Sequence, residues 1–459
     1  MLNLRLGEIA KLSNGKLNKD EYSDIVISEI SRDTRTIEPG DIYLPLIGEI
    51  LNGHIFIDDA FKLGAKATFA QKGEYHKDDK PIIWVEDTLE ALRLFAQNYR
   101  ETLDLKVVAI TGSNGKTTTK DMTAKVLSKK YNVTKTIGNL NNQIGLPITL
   151  LRFTKDTQVG VCELGMFDGK GGEIKANSDI SKPDIAVITN IGEAHLDTLI
   201  TKENIAKEKL GILSGLKEDG VLIYNNDDEI LKSAISKMDI KQKLISFGQD
   251  KSSDYVIEII ESNNVGSLFL LNGEVYNVSM IGEHQVYNAT VAAIIGKLLK
   301  VNKTDVYDAI LNNRNSSMRS ELMNLNGYDI LNDSYKSNPQ SLRSALRTLS
   351  ILSGYTRKIA ILGDMLELGS NEIELHKEIG REITKDNVDY LLLFGPLSKY
   401  TAQEASKNFP PNRVLYFESK RELVTKAKYL IKKGTLVLVK ASRSMHMEEV
   451  IESINTLHV

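Results

Sequence analysis

The chain has 459 residues, 41% of them hydrophobic and 26% charged, with a formal net charge of -3. Such a length holds about three domains of ordinary size, and the composition is that of a soluble globular protein with ample core. It excludes a global basic field that would favour nucleic acid, an internal disulfide (Cys162 is the one cysteine) and any apolar run near the ~20 residues of a membrane span. Met1-Leu2-Asn3-Leu4-Arg5 starts no secretory signal, so a reducing, cytoplasmic setting is expected.

The first stretch, to about residue 86, reads as short strands and turns with one good helix. Ser31-Arg32-Asp33-Thr34-Arg35 precedes the turn Pro39-Gly40-Asp41 and an apolar strand over 42–46. A helix carrying Phe56, Ala60, Phe61 and Leu63 ends at Gly64 as at a C-cap. Thr34, Arg35 and His54 are polar groups near turns, where ligand contacts concentrate, although a plain surface loop fits them too. Residues 87–100 form an amphipathic pattern with Leu89, Leu92, Leu94, Phe95 and Ala96, capped by Asp87 or Thr88.

The strongest chemical signal follows. The β-branched run over 107–110 enters Thr111-Gly112-Ser113-Asn114-Gly115-Lys116-Thr117-Thr118, and a helical pattern with Met122, Val126 and Leu127 comes next. Strand, glycine loop and helix together make a phosphate cradle: glycines free the backbone N–H groups, and the helix N-terminus adds partial positive charge. Lys116 reaches the β- and γ-phosphates of a nucleotide and Thr117 offers a hydroxyl to Mg²⁺. The longer G-x-x-x-x-G-K-T pattern would need glycine where Ile110 stands.

Gly138-Asn139-Leu140-Asn141-Asn142-Gln143-Ile144-Gly145 is a polar loop before a helix or strand over 148–153. Asn139, Asn141 and Asn142 fit either hydrogen-bond recognition of a ligand or ordinary turn chemistry. The buried-strand run over 159–162 ends on Glu163-Leu164-Gly165-Met166, and that over 185–191 ends on Gly192-Glu193-Ala194-His195. Ligands of α/β sheets bind at the carboxyl ends of strands, so Glu163 and His195 are candidate ligands of a divalent cation beside the nucleotide. Residues 204–213 read as a helix on which Lys207 and Lys209 have the pattern of surface residues. Alternating strands occupy 255–281, with Asn272-Gly273 as a hairpin turn. From about residue 314 strands and helices alternate, which predicts a parallel sheet with helices on both faces. The motifs Asp333-Ser334-Tyr335-Lys336-Ser337-Asn338-Pro339, Gly363-Asp364-Met365-Leu366-Glu367-Leu368-Gly369 and Lys440-Ala441-Ser442-Arg443-Ser444-Met445 follow strand-like runs and would face one cleft edge.

Taken together, these motifs resemble the Mur ligases of bacterial peptidoglycan synthesis over nearly the whole chain. The T-G-S-N-G-K-T-T loop is shared by all of them and by folylpolyglutamate synthetases. The asparagine loop, E-L-G-M and G-D-M-L-E-L-G point, within the family, to the ligase that adds D-alanyl-D-alanine to UDP-N-acetylmuramoyl-tripeptide; the acid-recognising D-N-P-R motif of the preceding ligase has no counterpart here. The resemblance implies an α/β fold of three domains: a small UDP-substrate domain (1–86), a central ATP-binding domain of the phosphate-loop type with a mostly parallel sheet (87–313) and a Rossmann-like ligase domain (314–459). It implies ATP and Mg²⁺, an acylphosphate intermediate, no nucleic-acid partner, no stable membrane insertion and a monomeric chain.

Carried over by position, Gly112, Ser113, Asn114, Gly115, Lys116, Thr117 and Thr118 would bind ATP, with Asn288 contacting adenine and Arg319 and Asp333 closing on the nucleotide. Thr117 and Glu163 would hold one Mg²⁺ and His195 the second. Lys209, fourteen residues after His195, would be the family's carbamylated lysine, an anionic oxygen ligand. Lys116, Lys209 and His195 are thus the expected catalytic set; Thr34, Arg35, Asn139, Asn141, Asn142, Tyr335 and Asn338 are the expected substrate contacts. The chain departs from the usual family pattern at Asn332 and Lys336, where D-D-S-Y-N-A-N-P is common, at Ala441, where glycine is common, and at Asn52, where aspartate is common. A different amino-acid acceptor is one rival reading. A nucleotide-binding scaffold without chemistry is another, disfavoured because Lys116, Glu163, His195 and Lys209 are all present.

Overall fold

The computed structural model describes residues 2–166, 169, 171–314, 317–325 and 327–456. Its centre is a nine-stranded sheet. From one edge the strands run Glu274–Val278, Gly266–Leu271, Tyr255–Asn263, Lys243–Gly248, Val221–Asn225, Ile185–Ile188, Lys106–Thr111, Val159–Glu163 and Val133–Lys135. The first three pair antiparallel and the remainder pair parallel. Lys106–Thr111 is the pivot: the strands that follow it lie on one side (Val133–Lys135, Val159–Glu163), and later strands lie on the other. A crevice opens at such a switch point at the carboxyl ends of the strands.

Register decides what lines that crevice. Glu163 pairs with Ile110 and Ile188 with Thr111, so the ends of three adjacent strands are level. The strands are apolar on both faces because helices cover both. Val107 and Ala109 pack into one core with Leu92, Phe95, Leu150 and Phe153; Val108 and Ile110 pack into another with Met122, Val126, Val286 and Ile294. Fully burying one such Leu or Phe side chain contributes roughly 1.5–3 kcal/mol. Gly160 is required beneath Phe153, since a Cβ there would come 2.4 Å from the ring.

Two expectations from the sequence hold, and one open choice is decided. The helix Thr88–Glu101 is capped by Asp87, whose Oδ1 accepts from Glu90 N at 2.8 Å. Residues 145–151 are helical rather than a strand. Asn272 and Gly273 turn the hairpin, both with positive φ. The N-terminal strand expected over 42–46 is shorter, Ile42–Tyr43, and the helix expected over 204–213 is Lys202–Leu210 followed by a 3-10 turn.

Two further sheets flank the central one. Lys16–Leu17, Ile82–Val85, Ala67–Gln71, Ile42–Tyr43 and Ile30–Ser31 form a five-stranded sheet near the N-terminus. Glu321–Asn324, Tyr328–Asn332, Thr435–Lys440, Arg357–Gly363, Tyr390–Phe394 and Val414–Phe417 form a six-stranded sheet, parallel except for its first pair. Separate apolar clusters cover the two faces of the six-stranded sheet. Among the described residues no helix is long and apolar enough to cross a membrane.

Candidate functional site

The crevice between the central and C-terminal sheets is a cavity of about 1120 Å³. Its walls include the whole loop from Gly112 to Thr118, then Glu163, His195, Lys209 and Asn288 from the central sheet, and Arg319, Asp333, Tyr335, Lys336, Glu367 and Lys440 from the C-terminal one. Strand-end motifs separated by hundreds of residues therefore converge.

The loop is shaped by its glycines. Gly112 has φ +143° and lies so close to the next strand that a Cβ would come 2.0 Å from Thr189 Oγ1. Gly115, at φ +81°, caps the helix Lys116–Leu127. Thr189 and Asn190 fix the loop from the side: Asn114 N donates to Asn190 Oδ1 (2.9 Å), and the Asn114 carbonyl accepts from Thr189 Oγ1 (2.6 Å). The Lys116 ammonium is folded back on the loop, donating to the carbonyls of Gly112 (2.7 Å) and Ser113 (3.2 Å). Burial pulls it down to about 8, with Lys336 and Arg319 adding to the fall against the opposing pull of Glu163. A polyphosphate is the natural ligand for a lysine ammonium beside a glycine loop at a helix N-terminus. Gly112→Ala should weaken ADP binding by about tenfold or more, because a forced Cβ displaces the Thr189 clamp in a region of φ unfavourable to alanine. Calorimetric titration alongside a thermal melt checks this; unchanged ADP affinity in a folded variant would contradict the loop assignment.

Beside the loop, Glu163 is 2% exposed. Its Oε1 accepts from Asn141 Nδ2 at 2.8 Å, and its buried Oε2 has no hydrogen-bond partner among the described residues, Lys120 Nζ standing 3.9 Å away. Such an orphaned carboxylate oxygen fits a cation or a bound water. His195 sits in left-handed backbone (φ +64°) with Nδ1 3.7 Å from Glu367 Oε2. Burial, then Lys336, Lys209 and Lys116, push its imidazole down to about 2, so it is neutral and has a lone pair to offer. Lys209 is 2% exposed, and among the described residues its ammonium meets only Met166 Sδ, at 3.0 Å. Burial and then Lys116 hold it well below the usual lysine range. Lys207, two residues away, is exposed. No group of three or more His, Cys, Asp and Glu side chains gathers as a metal nest among the described residues. Glu163 and the Thr117 hydroxyl offer oxygen donors for one divalent cation, and His195 with an anionic Lys209 would offer donors for a second.

The other expected contacts divide. Asn139 lines the cavity, Asn141 holds Glu163, and Asn142 Oδ1 accepts from Gly145 N (2.8 Å) to start the next helix. The asparagine loop thus combines turn chemistry with support of the site. Asn288 stands behind Gly115, its Oδ1 accepting from Thr119 Oγ1 (2.9 Å) and its Nδ2 donating to Gln285 Oε1 (2.9 Å). Arg319 stacks over the Tyr335 ring, 3.9 Å from its centroid. Asp333 accepts from Ser320 N at 2.9 Å and pairs with the buried Lys440 at 2.7 Å. Asn338 does not line the cavity: it is 1% exposed, caps Ser341 N (2.9 Å) and donates to Asn114 Oδ1 (2.9 Å).

Thr34 and Arg35 lie on a 3-10 turn of the five-stranded unit, apart from this cavity. Arg35 is 87% exposed and forks onto Asp33, whose carboxyl it holds down to about 2. His54 is not a free ligand group. It is 2% exposed, accepts from Gln71 N through Nε2 (2.9 Å) and meets Asn52 Oδ1 through Nδ1 (2.8 Å).

Three residues of the site carried no assignment from sequence. Lys336 pairs with Glu367 at 3.0 Å, and Glu367 in turn stands near His195, so a C-terminal ion pair touches the central site. Lys120 is buried next to Glu163 and donates to the Thr136 carbonyl at 2.9 Å. Its spacing of one helical turn from Lys116 was the available signal.

Comparison with known proteins agrees with this geometry. Three family descriptions match the chain: "Mur ligase family, catalytic domain" over residues 26–100, "Mur ligase middle domain" over 110–296 and "Mur ligase, glutamate ligase domain" over 318–443. The chain belongs to the Mur ligase family. Among its relatives, the UDP-N-acetylmuramoyl-tripeptide–D-alanyl-D-alanine ligase of Bacillus subtilis (strain 168) is 37% identical over 458 residues, covering 99% of both chains. A crystal structure of MurF from Acinetobacter baumannii superposes with a TM-score of 0.90 at 29% identity, covering 99% of each chain. MurF ligase from Thermotoga maritima in complex with ADP superposes with a TM-score of 0.82 at 26% identity, covering 93% of this chain and 97% of that one. As a Mur ligase the protein has the α/β architecture expected from its sequence.

Proposed function

We propose that this Mur ligase joins D-alanyl-D-alanine to UDP-N-acetylmuramoyl-tripeptide at the expense of ATP, as a monomer in the cytoplasm. The carrying observation is the convergence of the phosphate loop, Glu163, His195 and Lys209 with the C-terminal Arg319, Tyr335 and Lys336 on one cleft. The full-length likeness to ligases bearing that activity in their names supports the acceptor and donor. The residues divide functionally at 86/87 and 313/314, the first unit holding the uridine nucleotide through Thr34 and Arg35.

In this reading the terminal carboxylate of the tripeptide attacks the γ-phosphorus of ATP. The bond from that phosphorus to the bridging β–γ oxygen breaks, ADP departs and an acylphosphate forms. The dipeptide amine then attacks the acyl carbon through a tetrahedral intermediate; a C–N bond forms, phosphate leaves and the nitrogen gives up a proton. The protein's share is positioning and charge stabilisation. Lys116 exchanges its two loop carbonyls for phosphate oxygens, and Arg319 closes on the nucleotide from the other wall. Glu163, itself held by Asn141, and the Thr117 hydroxyl would hold one Mg²⁺, and His195 with a carbamylated Lys209 would hold a second; when bound, they would supply neutralisation of phosphate charge. Docking of the C-terminal unit keeps water from the acylphosphate.

The uridine role has its own test. Arg35→Ala should raise KM for the UDP-muramoyl-tripeptide by about tenfold while leaving that for ATP unchanged, the loss expected for one charge-assisted hydrogen bond. Steady-state phosphate release measures both. Equal release from a muramoyl-tripeptide lacking the nucleotide would contradict the role given to the first unit.

A further inference from the structure

The phosphate loop is tied directly to the C-terminal unit by side-chain amides. Asn114 has its backbone fixed inside the central unit by Thr189 and Asn190, but its side chain leaves that unit. Nδ2 donates to Gln340 Oε1 at 2.7 Å, and Oδ1 accepts from Asn338 Nδ2 at 2.9 Å. Asn338 and Gln340 stand at the start of the helix Pro339–Ile351, Asn338 being its N-cap. Gln340 also reaches the loop that carries His195: its backbone N donates to Glu193 Oε2 at 3.3 Å, and the buried Glu193 is held by Lys202 at 2.6 Å. The seat for the Gln340 side chain is the bare face of Gly192. A Cβ on Gly192 would come 2.4 Å from Gln340 Oε1, and only 3.2 Å from Asn114 Nδ2.

The same helix makes other contacts with the central unit farther along, Ser344 Oγ with His284 Nδ1 at 3.1 Å and Arg347 with Glu283 at 2.7 Å. Those hold the helix against residues 283–284. Among the described residues its hydrogen bonds to the phosphate loop come from the first turn, and they run through neutral groups that salt does not screen. An amide pair of this kind needs both partners in one geometry, so it is sensitive to the conformation of the loop.

We infer that Gln340 is a positioning residue which, through Asn114, couples the folded conformation of the phosphate loop to docking of the C-terminal helix. The wall bearing Arg319, Tyr335 and Lys336 is then assembled against a loop already shaped to hold phosphate. This rests on the reading of the loop as the ATP site and of the opposite wall as the acceptor side.

Hydrogen exchange on the intact chain without ligands, followed by mass spectrometry, tests the coupling independently of substrate identity. Gln340→Ala should increase exchange over 112–118 as well as over 338–345, whereas Arg347→Ala should affect only the helix. Gly192→Ala should loosen the loop more when Gln340 is present than in the Gly192→Ala/Gln340→Ala double variant, because its tightest contact, 2.4 Å, is with that side chain, while the contacts with Asn114 Nδ2 (3.2 Å) and Ser113 Cβ (3.3 Å) persist in both. In turnover, Gln340→Ala should raise KM for ATP and KM for the dipeptide together, each by about fivefold, the size of one lost hydrogen bond, because the loosened loop and the undocked wall are two sides of one contact. Unchanged loop exchange in Gln340→Ala, or equal damage from Gly192→Ala in both backgrounds, would overturn the inference. If the wild type shows no dipeptide-dependent turnover, the acceptor assignment is what has failed, and the exchange result still decides the coupling.

Discussion

Replacing Lys116 with alanine is expected to reduce ATP-dependent ligation by about a thousandfold or more, the size of loss seen when a preorganised charge is removed from a developing anion. The fold should survive. Lys116 is the first residue of its helix, among the described residues its ammonium bonds only to carbonyls of its own loop, and it belongs to neither apolar core of the sheet. Removing a cation held in a desolvated pocket relieves burial of charge, so the thermal midpoint should stay level or rise slightly. Lys116→Arg should fail nearly as badly, because the ammonium fits between two carbonyls 2.7 and 3.2 Å away and a planar fork does not. Single-turnover phosphate release with a parallel melt checks this. A folded Lys116→Ala protein with near-normal turnover would remove the phosphate loop from the mechanism.

Lys209→Ala is expected to lose activity by about a hundredfold, whereas Lys207→Ala should change it less than about twofold. The two lysines lie on one helix, yet Lys207 faces solvent and Lys209 is 2% exposed, its ammonium 3.0 Å from the Met166 thioether and drawn only in part by Glu208 and Glu173. Burying an unpaired lysine cation is costly, and the ordinary remedy is to keep it neutral. A neutral amine is the form that captures CO₂ as a carbamate, and a carbamate would supply an anionic oxygen beside His195 for the second proposed cation. A small added carboxylate should restore part of the activity of Lys209→Ala and none of that of Lys116→Ala. Mass spectrometry under native conditions should find CO₂ on the wild-type chain and not on the Lys209→Ala chain. Wild-type turnover in Lys209→Ala at saturating Mg²⁺, or greater damage from Lys207→Ala, would contradict the carbamate.

The central site was legible in the sequence because its signals are local. A β-branched strand running into a glycine loop and a helix places that loop at a strand end, Glu163 closes its own apolar strand, and His195 lies on the loop beyond Ile185–Ile188. The level register of those strands, Glu163 beside Ile110 and Ile188 beside Thr111, then brings the ends together as a parallel sheet must. What was not legible is pairwise and distant. Gln340 meets Asn114 across 226 positions, and nothing in either neighbourhood marks the other. His54 shows the opposite failure: polarity beside a turn resembled a ligand contact, but Asn52 and the Gln71 backbone satisfy both ring nitrogens inside the fold. Asn338 likewise stands in a cleft-edge motif while its side chain serves as a cap and an inter-unit bond.

The departures at Lys336 and Ala441 acquire partial meaning. Lys336 pairs with Glu367 beside His195, which places its charge on the cleft wall. Ala441 is fully buried, and an added Cβ on Gly363 would lie 2.8 Å from its methyl, so the two positions are packed against each other. Nothing in the structure explains why alanine rather than glycine stands there.

The most direct test of the proposed reaction is phosphate release from ATP and Mg²⁺ with UDP-N-acetylmuramoyl-tripeptide, with and without D-alanyl-D-alanine, and with the product weighed by mass spectrometry. The account predicts sustained release only when both substrates are present, one phosphate per peptide bond and a product heavier by the dipeptide less one water. Phosphate release indifferent to the dipeptide, or a product carrying a different amino acid when several are offered together, would contradict it.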